Sequence, residues 1–241
     1  MILTCNQREL TLRCLDSLGE TMEAHPDAEV VLVDNGSSDG TLDAVAERRY
    51  PWADRLVTVR SETNVGVAPG RNIGLRRAKG DVLMLLDNDT IADRRAVDSL
   101  LKEAGRPENG VVAPKLVSPA GEVQASSKPY PGLGVKIAHL LFRNRREEPL
   151  PDPYYVIGAC QMFRREVFDK VGELDGRIFY GPEDADFCGR VAAAGYKIRY
   201  VPEAVIIHDW QRATTRSPFS RLGRMHARAL FYFYRKHRRW F

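Results

Sequence analysis

The sequence has few cysteines and no long apolar segment. Its four cysteines are scattered, without the paired short spacing of a zinc site or the density of a disulfide scaffold. No run of about 18 apolar residues occurs, and the N-terminus lacks the charged stretch and apolar stretch of a signal peptide. We therefore expect free, mostly buried thiols and a cytoplasmic protein without a membrane-spanning helix.

Acidic residues are scarce near the C-terminus. Residues 205–241 contain nine Lys/Arg and one acidic residue, a balance of +8 in a chain whose formal net charge is +4. Cationic and aromatic side chains alternate there, which suits a helix lying in the headgroup region of an anionic membrane. The alternative is a C-terminal helix that packs on the core and exposes a basic face. Nothing else in the sequence favours base recognition, so we expect no nucleic-acid partner.

The order of predicted elements indicates an α/β fold. With 241 residues, 44% of them hydrophobic, the chain can bury one substantial core. Short β-branched runs alternate with helical patterns, which is typical of a parallel sheet covered by helices. We predict strands at residues 1–4, 29–33, 56–59, 81–86, 155–163, 197–201 and 204–207, and helices at residues 8–24, 42–49, 71–78, from about 94, 165–171 and 184–194. Loops, short strands and one apolar turn at residues 135–142 are expected in the proline-rich stretch 105–153.

Two acidic residues directly follow predicted strands, Asp34 after residues 30–33 and Asp87 after residues 82–86. Because ligands of an open parallel sheet bind beyond the carboxyl ends of the strands, both carboxylates should face one pocket. Asp87 and Asp89 also stand two residues apart, a spacing that lets carboxylate oxygens reach a divalent cation. The competing interpretation is an Asx-rich turn that caps the next helix.

Two loops have compositions that suit a nucleotide. Residues 34–41 place acids and hydroxyls at a strand end, where they could hold a base and ribose or simply cap a helix. Residues 64–74 bring glycines, backbone N–H groups and the Arg71 cation to a helix N-terminus, where anions are favoured. Their alternative is an ordinary loop in which glycine supplies positive φ.

Three further features are ambiguous on their own. Small residues at 158–160 would let a sugar approach the backbone closely, or would only pack a strand. Acids at 183–186 open a helix, where they complement the helix dipole. His208 follows a predicted strand, and a lone histidine is more often structural than a ligand.

An ordered combination of these motifs resembles family 2 glycosyltransferases of the GT-A fold, and among them the bacterial rhamnosyltransferase-type enzymes that build cell-surface polysaccharides. The motifs are residues 34–41, residues 64–74, Asp87-Asn88-Asp89, Gly158-Ala159-Cys160 and Glu183-Asp184-Ala185-Asp186. The resemblance implies an α/β/α sandwich with a mostly parallel central sheet over residues 1–210. Its donor half would cover about residues 1–110 and its acceptor half about 111–210, followed by a basic aromatic helix or tail at 211–241.

The resemblance also implies roles for individual residues. The expected donor-binding residues are Thr4, Asn6, Asp34, Asn64, Gly70, Arg71, Asn72, Asp87 and Asn88. The expected acceptor-side residues are Gly158, Ala159 and Cys160, and the expected ligands of Mg²⁺ or Mn²⁺ are Asp87, Asp89 and His208. Asp184 is expected to act as general base, with Glu183 and Asp186 as alternatives or supports.

The implied reaction is an inverting transfer of a sugar, expected to be rhamnose, from a dTDP- or UDP-linked donor to a glycan or polyprenyl-linked acceptor. The protein would then work on the inner face of the membrane. A nucleotidyltransferase is a weaker alternative, because residues 4–7 replace the Gly-rich loop that such enzymes have after the first strand. A non-catalytic adaptor for sugar nucleotides or membranes is disfavoured by the intact acids. The chain departs from the family by beginning almost inside its first strand, which leaves open a start upstream of Met1 or a looser nucleoside site.

Overall fold

Apolar runs bounded by polar turns form the strands, and amphipathic segments form the helices. The computed structural model describes residues 1–130, 154–210 and 221–237. The strands are β1 (Ile2–Thr4), β2 (Val30–Asn35), β3 (Leu56–Ser61), β4 (Val82–Asp87), β5 (Thr90–Ile91), β6 (Asn109–Val117), β7 (Val123–Gln124), β8 (Ser127–Pro129), β9 (Tyr154–Val156), β10 (Cys160–Arg164) and β11 (Lys197–His208). The helices are α1 (Arg8–Ser17), α2 (Gly19–Ala24), α3 (Thr41–Glu47), α4 (Val67–Arg77), α5 (Arg94–Ala104), α6 (Arg165–Val171), α7 (Glu183–Ala193) and α8 (Arg221–His237), and a short 3-10 helix covers Ala53–Arg55.

Within the described residues the central sheet has nine strands, in the order β3-β2-β1-β4-β10-β6-β11-β5 with β7 beside β6. Strands β3, β2, β1 and β4 are parallel. Strand β10 runs antiparallel to both β4 and β6, and β6 pairs in parallel with β11. Six strands therefore point the same way, which confirms the predicted α/β fold with a mostly parallel central sheet.

Helices cover both faces of this sheet. On one face, α1, α2 and α5 bury side chains such as Leu15 and Leu100 against the strands. On the other face, α4, α6, α7 and α8 do the same with side chains such as Leu75, Phe187 and Phe233. These two apolar layers hold the strands in place, and with them the side chains at the strand ends.

Two predicted helices have different bounds in the structure. Residues 8–24 form α1 and α2, which are interrupted at Leu18. The interruption falls beside Gly19, a residue type that weakens helix interiors. Helix α4 begins at Val67 rather than at residue 71, because Pro69 lies in its first turn, where the missing N–H is tolerated.

Three predicted strands are also arranged differently in the structure. Residues 155–163 divide into β9, which pairs with β8 in a separate small sheet, and β10, which joins the central sheet. The two segments predicted at 197–201 and 204–207 form the single strand β11. Its register against β6 shifts between Val201 and Val205, where Pro202 cannot donate a ladder hydrogen bond.

The prediction of loops and short strands for residues 105–153 is wrong for its first part. Strand β6 spans nine residues and lies inside the central sheet, between β10 and β11. Its apolar residues Val111, Val112 and Ala113 are fully buried, as expected for a strand covered on both faces. Pro114 and the prolines that follow concealed this signal. The turn predicted at residues 135–142 lies outside the described residues.

Helix α8 lies within the predicted C-terminal tail and packs on the domain. Its Phe233 and Tyr234 are buried in the same cluster as α4, α6 and α7, whereas Phe231 is 60% exposed. No helix among the described residues is both long enough and apolar enough to cross a membrane.

Candidate active site

Asp34 and Asp87 lie at the same edge of the sheet, at the carboxyl ends of β2 and β4. Strand β1 runs between them and pairs Thr4 with Asp34 and Leu3 with Asp87. Two strand spacings place the two backbones about 10 Å apart. Gly70 of α4 packs closely on β1 here, since a Cβ at this position would lie 2.7 Å from Leu3 Cδ1. The structure therefore brings the two strand-end acids to one edge.

The turn after β2 is held by side chains from two loops. Asp34 Oδ1 accepts a hydrogen bond from the Ser37 N–H at 2.8 Å. Asn6 Oδ1 accepts from the Ser38 N–H at 2.7 Å, and the Asn6 N–H donates to Ser37 Oγ at 2.9 Å. Asn6 has φ of 53°, a conformation that asparagine tolerates better than most residues. Asp34 and Asn6 thus shape one turn at the expected nucleoside side.

Asn35 organises the neighbouring loop, a role that the sequence analysis did not predict, since it considered this residue only as part of the segment 34–41. Its Nδ2 donates to Asn64 Oδ1 and to Gly66 O, each at 3.1 Å, and its Oδ1 accepts from the Val65 N–H at 3.0 Å. The side chain is buried, so these bonds satisfy an amide that water does not reach. Its position at a strand end, directly after an acid already singled out, is the signal that could have revealed it.

Three predicted donor-side residues are engaged by interior hydrogen bonds. Asn88 Nδ2 donates to Thr4 Oγ1 at 3.3 Å and to Thr11 Oγ1 at 3.0 Å. Asn72 Nδ2 donates to Leu174 O at 2.8 Å, and its Oδ1 accepts from the Leu174 N–H at 3.0 Å. Thr4, Asn72 and Asn88 are buried and held in place by these bonds, and their donor-binding role stays a prediction.

Arg71 connects the end of β4 to Gly158 and to the start of α7. Its Nη2 donates to Asp87 Oδ1 at 2.6 Å and to Gly158 O at 2.8 Å. Its Nη1 donates to Glu183 Oε1 at 3.3 Å. Burial opposes the charge of this guanidinium, but the Asp87 and Glu183 carboxylates outweigh burial and raise the pKa of Arg71. A permanent positive charge therefore sits between the two groups of acids.

Gly158 contacts both Arg71 and the start of α7. A Cβ at this position would lie 2.4 Å from Arg71 Nη1, so no other residue fits without moving the guanidinium. Its N–H donates to Asp184 Oδ2 at 3.2 Å. Ala159 and Cys160 are buried as the chain enters β10 beside the end of β4. The predicted acceptor-side stretch therefore joins the two halves of the site.

Glu183 and Asp184 begin α7 and differ in environment. Glu183 is buried, and its Oε2 has no hydrogen-bond partner among the described residues. Burial, followed by the charge of Asp184, raises the pKa of Glu183 to about 7. Asp184 is half-buried, its Oδ1 accepts from the Ala185 N–H at 2.8 Å, and burial raises its pKa as well. Asp184 is the more accessible of the two carboxylates.

Asp186, the third acid of the motif, is fully buried and bonded to three basic side chains. Arg190 Nε donates to its Oδ2 at 2.9 Å, while Lys236 Nζ and His237 Nε2 lie 2.5 Å and 2.8 Å from its Oδ1. Burial acts to raise the pKa of Asp186, but Lys236 and His237 outweigh burial and lower it. These contacts tie α8 to the first turn of α7, as those of a residue in the predicted supporting role would.

Asp87, Asp89 and His208 form a group that could hold a metal ion. One potential ligand atom from each residue lies within 4.8 Å of the other two, and ligands of an octahedral ion at about 2.1 Å stand about 3 to 4 Å apart. Pairing of β5 with β11 places Thr90 opposite His208, which brings Asp89 Oδ1 to 3.5 Å from His208 Nε2.

The environment of these three side chains suits a cation. Asp89 Oδ1 is buried and lacks a hydrogen-bond donor within the described part of the chain. Burial and the charge of Asp87 raise the pKa of Asp89 to about 7, as expected for an acid that lacks a nearby cation. Burial lowers the pKa of His208, which leaves a neutral imidazole able to ligate. Gln124, which the sequence analysis also missed, contacts His208.

Sequence comparisons find a family and relatives. A sequence model described as Glycosyl transferase family 2 matches residues 1–172. The N-acetylglucosaminyl-diphospho-decaprenol L-rhamnosyltransferase of Mycobacterium tuberculosis is 31% identical over 235 residues, which cover 88% of this chain and 76% of that protein. The O-antigen biosynthesis protein RfbC of Myxococcus xanthus is 30% identical over 196 residues, which cover 76% of this chain and 15% of that protein.

Solved structures show the same fold. A mannosyltransferase from Pyrobaculum calidifontis, solved with GDP-Man and Mn²⁺, matches with a TM-score of 0.67 and 24% identity over 88% of this chain and 56% of that chain. GalNAc-T7, solved with UDP, GalNAc and Mn²⁺, matches with a TM-score of 0.69 and 19% identity over 91% of this chain and 45% of that chain. This chain thus spans about half the length of the two solved chains, and the likeness establishes a GT-A fold. Because the family match extends over residues 1–172 of 241, the chain belongs to glycosyltransferase family 2.

Proposed function

We propose that this chain transfers a sugar from a nucleoside-diphosphate donor to an acceptor hydroxyl, with inversion at the anomeric carbon. One observation carries the proposal: Arg71 contacts Asp87 at the end of β4 and Glu183 at the start of α7. The Asp87 carboxylate, proposed for the donor side, and the Glu183 carboxylate, proposed for the acceptor side, thus both contact the buried guanidinium of Arg71. Sugar transfer needs this juxtaposition, because the leaving diphosphate and the attacking hydroxyl must be held on opposite sides of one sugar.

Asp87, Asp89 and His208 would hold the Mg²⁺ or Mn²⁺. The fit rests on the spacing of their ligand atoms and on the unpartnered Asp89 Oδ1 among the described residues. When bound, the ion supplies a Lewis acid that neutralises charge on the diphosphate. The Mn²⁺ in the two solved neighbours supports this assignment.

Asp184 takes the proton from the acceptor hydroxyl. The hydroxyl oxygen forms the bond to the anomeric carbon while the bond from that carbon to the diphosphate oxygen breaks on the opposite face, and nucleoside diphosphate leaves. Hydrogen bonds from the Gly158 and Ala185 N–H groups orient the Asp184 carboxylate. Burial raises its pKa, which strengthens it as a base near neutral pH. Arg71 holds Glu183 beside it.

We further propose L-rhamnose, carried on dTDP or UDP, as the transferred sugar and a polyprenyl-linked glycan as the acceptor. The N-acetylglucosaminyl-diphospho-decaprenol L-rhamnosyltransferase of Mycobacterium tuberculosis, which is 31% identical over 88% of this chain, supports this choice. The RfbC relative supports a place in cell-surface polysaccharide synthesis.

A lipid-linked acceptor agrees with a cytoplasmic protein that rests on the inner face of the membrane. One face of α8 carries four exposed side chains that follow one another by three or four residues. They are Arg224, Arg228, Phe231 and Arg235. Such a face suits anionic lipid headgroups. The double variant Arg228→Glu/Arg235→Glu should no longer co-sediment with vesicles that contain anionic lipid. Unchanged sedimentation would count against membrane attachment.

A panel of dTDP-, UDP- and GDP-linked sugars, incubated with the purified chain and Mn²⁺, Mg²⁺ or EDTA, tests the proposed reaction. Metal-dependent release of nucleoside diphosphate from one donor is the expected result. Release of pyrophosphate would favour the nucleotidyltransferase alternative, and binding without turnover would favour the adaptor. If no donor bound with either metal, the transferase proposal would be abandoned.

A further inference from the structure

Gln124, the last residue of β7, contacts His208 at two points. Its Nε2 donates to the His208 carbonyl oxygen at 2.9 Å. Its Oε1 lies 3.0 Å from His208 Nδ1. Both contacts cross the end of β6. Leu116 of β6 pairs with Gln124 of β7 on one side and with Ile206 of β11 on the other. The side chain therefore spans the end of β6 to reach the metal-binding edge.

These two contacts determine which ring nitrogen of His208 carries the proton. A main-chain carbonyl only accepts hydrogen bonds, so the amide nitrogen of Gln124 must face it. The amide oxygen then faces Nδ1, and because this oxygen also only accepts, Nδ1 must carry the hydrogen. A neutral imidazole has one N–H. His208 Nε2 is therefore left with a free lone pair, and Nε2 is the atom that lies 3.5 Å from Asp89 Oδ1.

We propose that Gln124 is a positioning residue of the metal site, which fixes the tautomer and the ring orientation of His208 and thereby sets the affinity for a divalent cation. The inference rests on the proposed function in one respect, since it takes Asp87, Asp89 and His208 as the ligands. Partners that hold the second nitrogen of a ligating histidine commonly change metal affinity 10- to 100-fold when they are removed.

Titration of Mn²⁺ followed by the EPR signal of the free ion tests this role. Gln124→Met keeps the length of the side chain and removes both hydrogen bonds, so its dissociation constant for Mn²⁺ should rise about 10- to 100-fold over the unmodified chain. Val123→Ala is the matched control, because Val123 lies on the same strand and is 67% exposed, and its dissociation constant should not change.

A double-mutant cycle asks whether Gln124 acts through His208. His208→Ala should weaken Mn²⁺ binding at least as much as Gln124→Met, and adding Gln124→Met to His208→Ala should have no further effect. An unchanged dissociation constant in Gln124→Met would overturn the proposal. The proposal would also be overturned if the loss of Mn²⁺ affinity in the double variant equalled the sum of the losses in the two single variants.

The tautomer can be read without any metal. In the metal-free chain labelled with ¹⁵N-histidine, the imidazole shifts of His208 should show a protonated Nδ1 and an unprotonated Nε2, and Gln124→Met should give a mixture. A protonated Nε2 in the unmodified chain would overturn the positioning role whatever the enzymatic activity. If the expected tautomer is seen but the unmodified chain binds no Mn²⁺, the metal site of the proposed function is wrong and the metal role of Gln124 with it.

Discussion

Replacing Arg71 with methionine should lower the free energy of unfolding by about 3 kcal/mol. Methionine retains an unbranched apolar side chain but removes the guanidinium, which contacts Asp87 Oδ1 at 2.6 Å, Gly158 O at 2.8 Å and Glu183 Oε1 at 3.3 Å. Removal of one partner from a buried ion pair costs about 3–5 kcal/mol, because the other charge stays buried without compensation. The lower end applies here, since the Asp87 side chain is 34% exposed and water takes over part of the lost contact.

Arg76 provides a matched control on the same helix. It forms an ion pair with Glu173 in which both side chains are well exposed, at 59% and 40%, whereas the Arg71 side chain is 4% exposed. Exposed ion pairs contribute about 0–1 kcal/mol, so Arg76→Met should have a small effect. The two variants remove the same charge from α4 and differ chiefly in burial.

Urea unfolding followed by circular dichroism and tryptophan fluorescence measures both variants. With a slope of about 3 kcal/mol per molar urea, Arg71→Met should lower the midpoint by about 1 M, and Arg76→Met by less than about 0.3 M. If the two variants lost the same free energy of unfolding, the account of Arg71 as a buried connection between Asp87 and Glu183 would be refuted.

Two further predictions concern α7. Lys236→Met should lower the free energy of unfolding by about 1.5–3 kcal/mol, because Lys236 Nζ lies 2.5 Å from an Asp186 oxygen that is fully buried. Its control is Arg235→Met, which changes an exposed side chain and should alter this free energy by less than about 0.5 kcal/mol. Equal urea midpoints for the two variants would contradict the prediction. Burial raises the pKa of Glu183 from 4.5 to about 7, so between these pH values the folded state binds a proton that the unfolded state does not. The stability that this group contributes is therefore present below pH 4.5 and is lost as the pH rises through 7. In Glu183→Gln the free energy of unfolding should therefore fall less steeply between pH 5 and 7 than in the unmodified chain. If it fell as steeply in Glu183→Gln as in the control Glu173→Gln, the raised pKa of Glu183 would be contradicted.

The N-terminal half of the fold could be predicted because its signals are local. The apolar runs before Asp34 and Asp87 have the length and composition of buried strands, and parallel strands bring their carboxyl ends to one edge. The sheet order confirms this, since β1 lies between the two strands. The identity of the family could also be predicted, because it depends on the order of motifs along the chain.

The features that were missed depend on contacts between distant segments. Strand β6 is recognisable only from its place between β10 and β11, since Pro114 and the prolines on either side of the strand are typical of a loop. Gln124 and His208 are 84 residues apart, and Lys236 and Asp186 are 50 residues apart. No local pattern marks a lone glutamine as the partner of a distant histidine, or a lysine in a basic tail as the partner of a buried acid.

The proposed proton transfer from the acceptor hydroxyl to Asp184 is tested most directly by the single-turnover rate of sugar transfer in Asp184→Asn, with donor affinity measured on the same samples. The amide cannot accept the proton, so the rate should fall about 10²- to 10⁴-fold while donor affinity stays the same. A rate within about threefold of the unmodified chain would contradict the assignment of this carboxylate as the base and, with it, the proposed geometry of transfer.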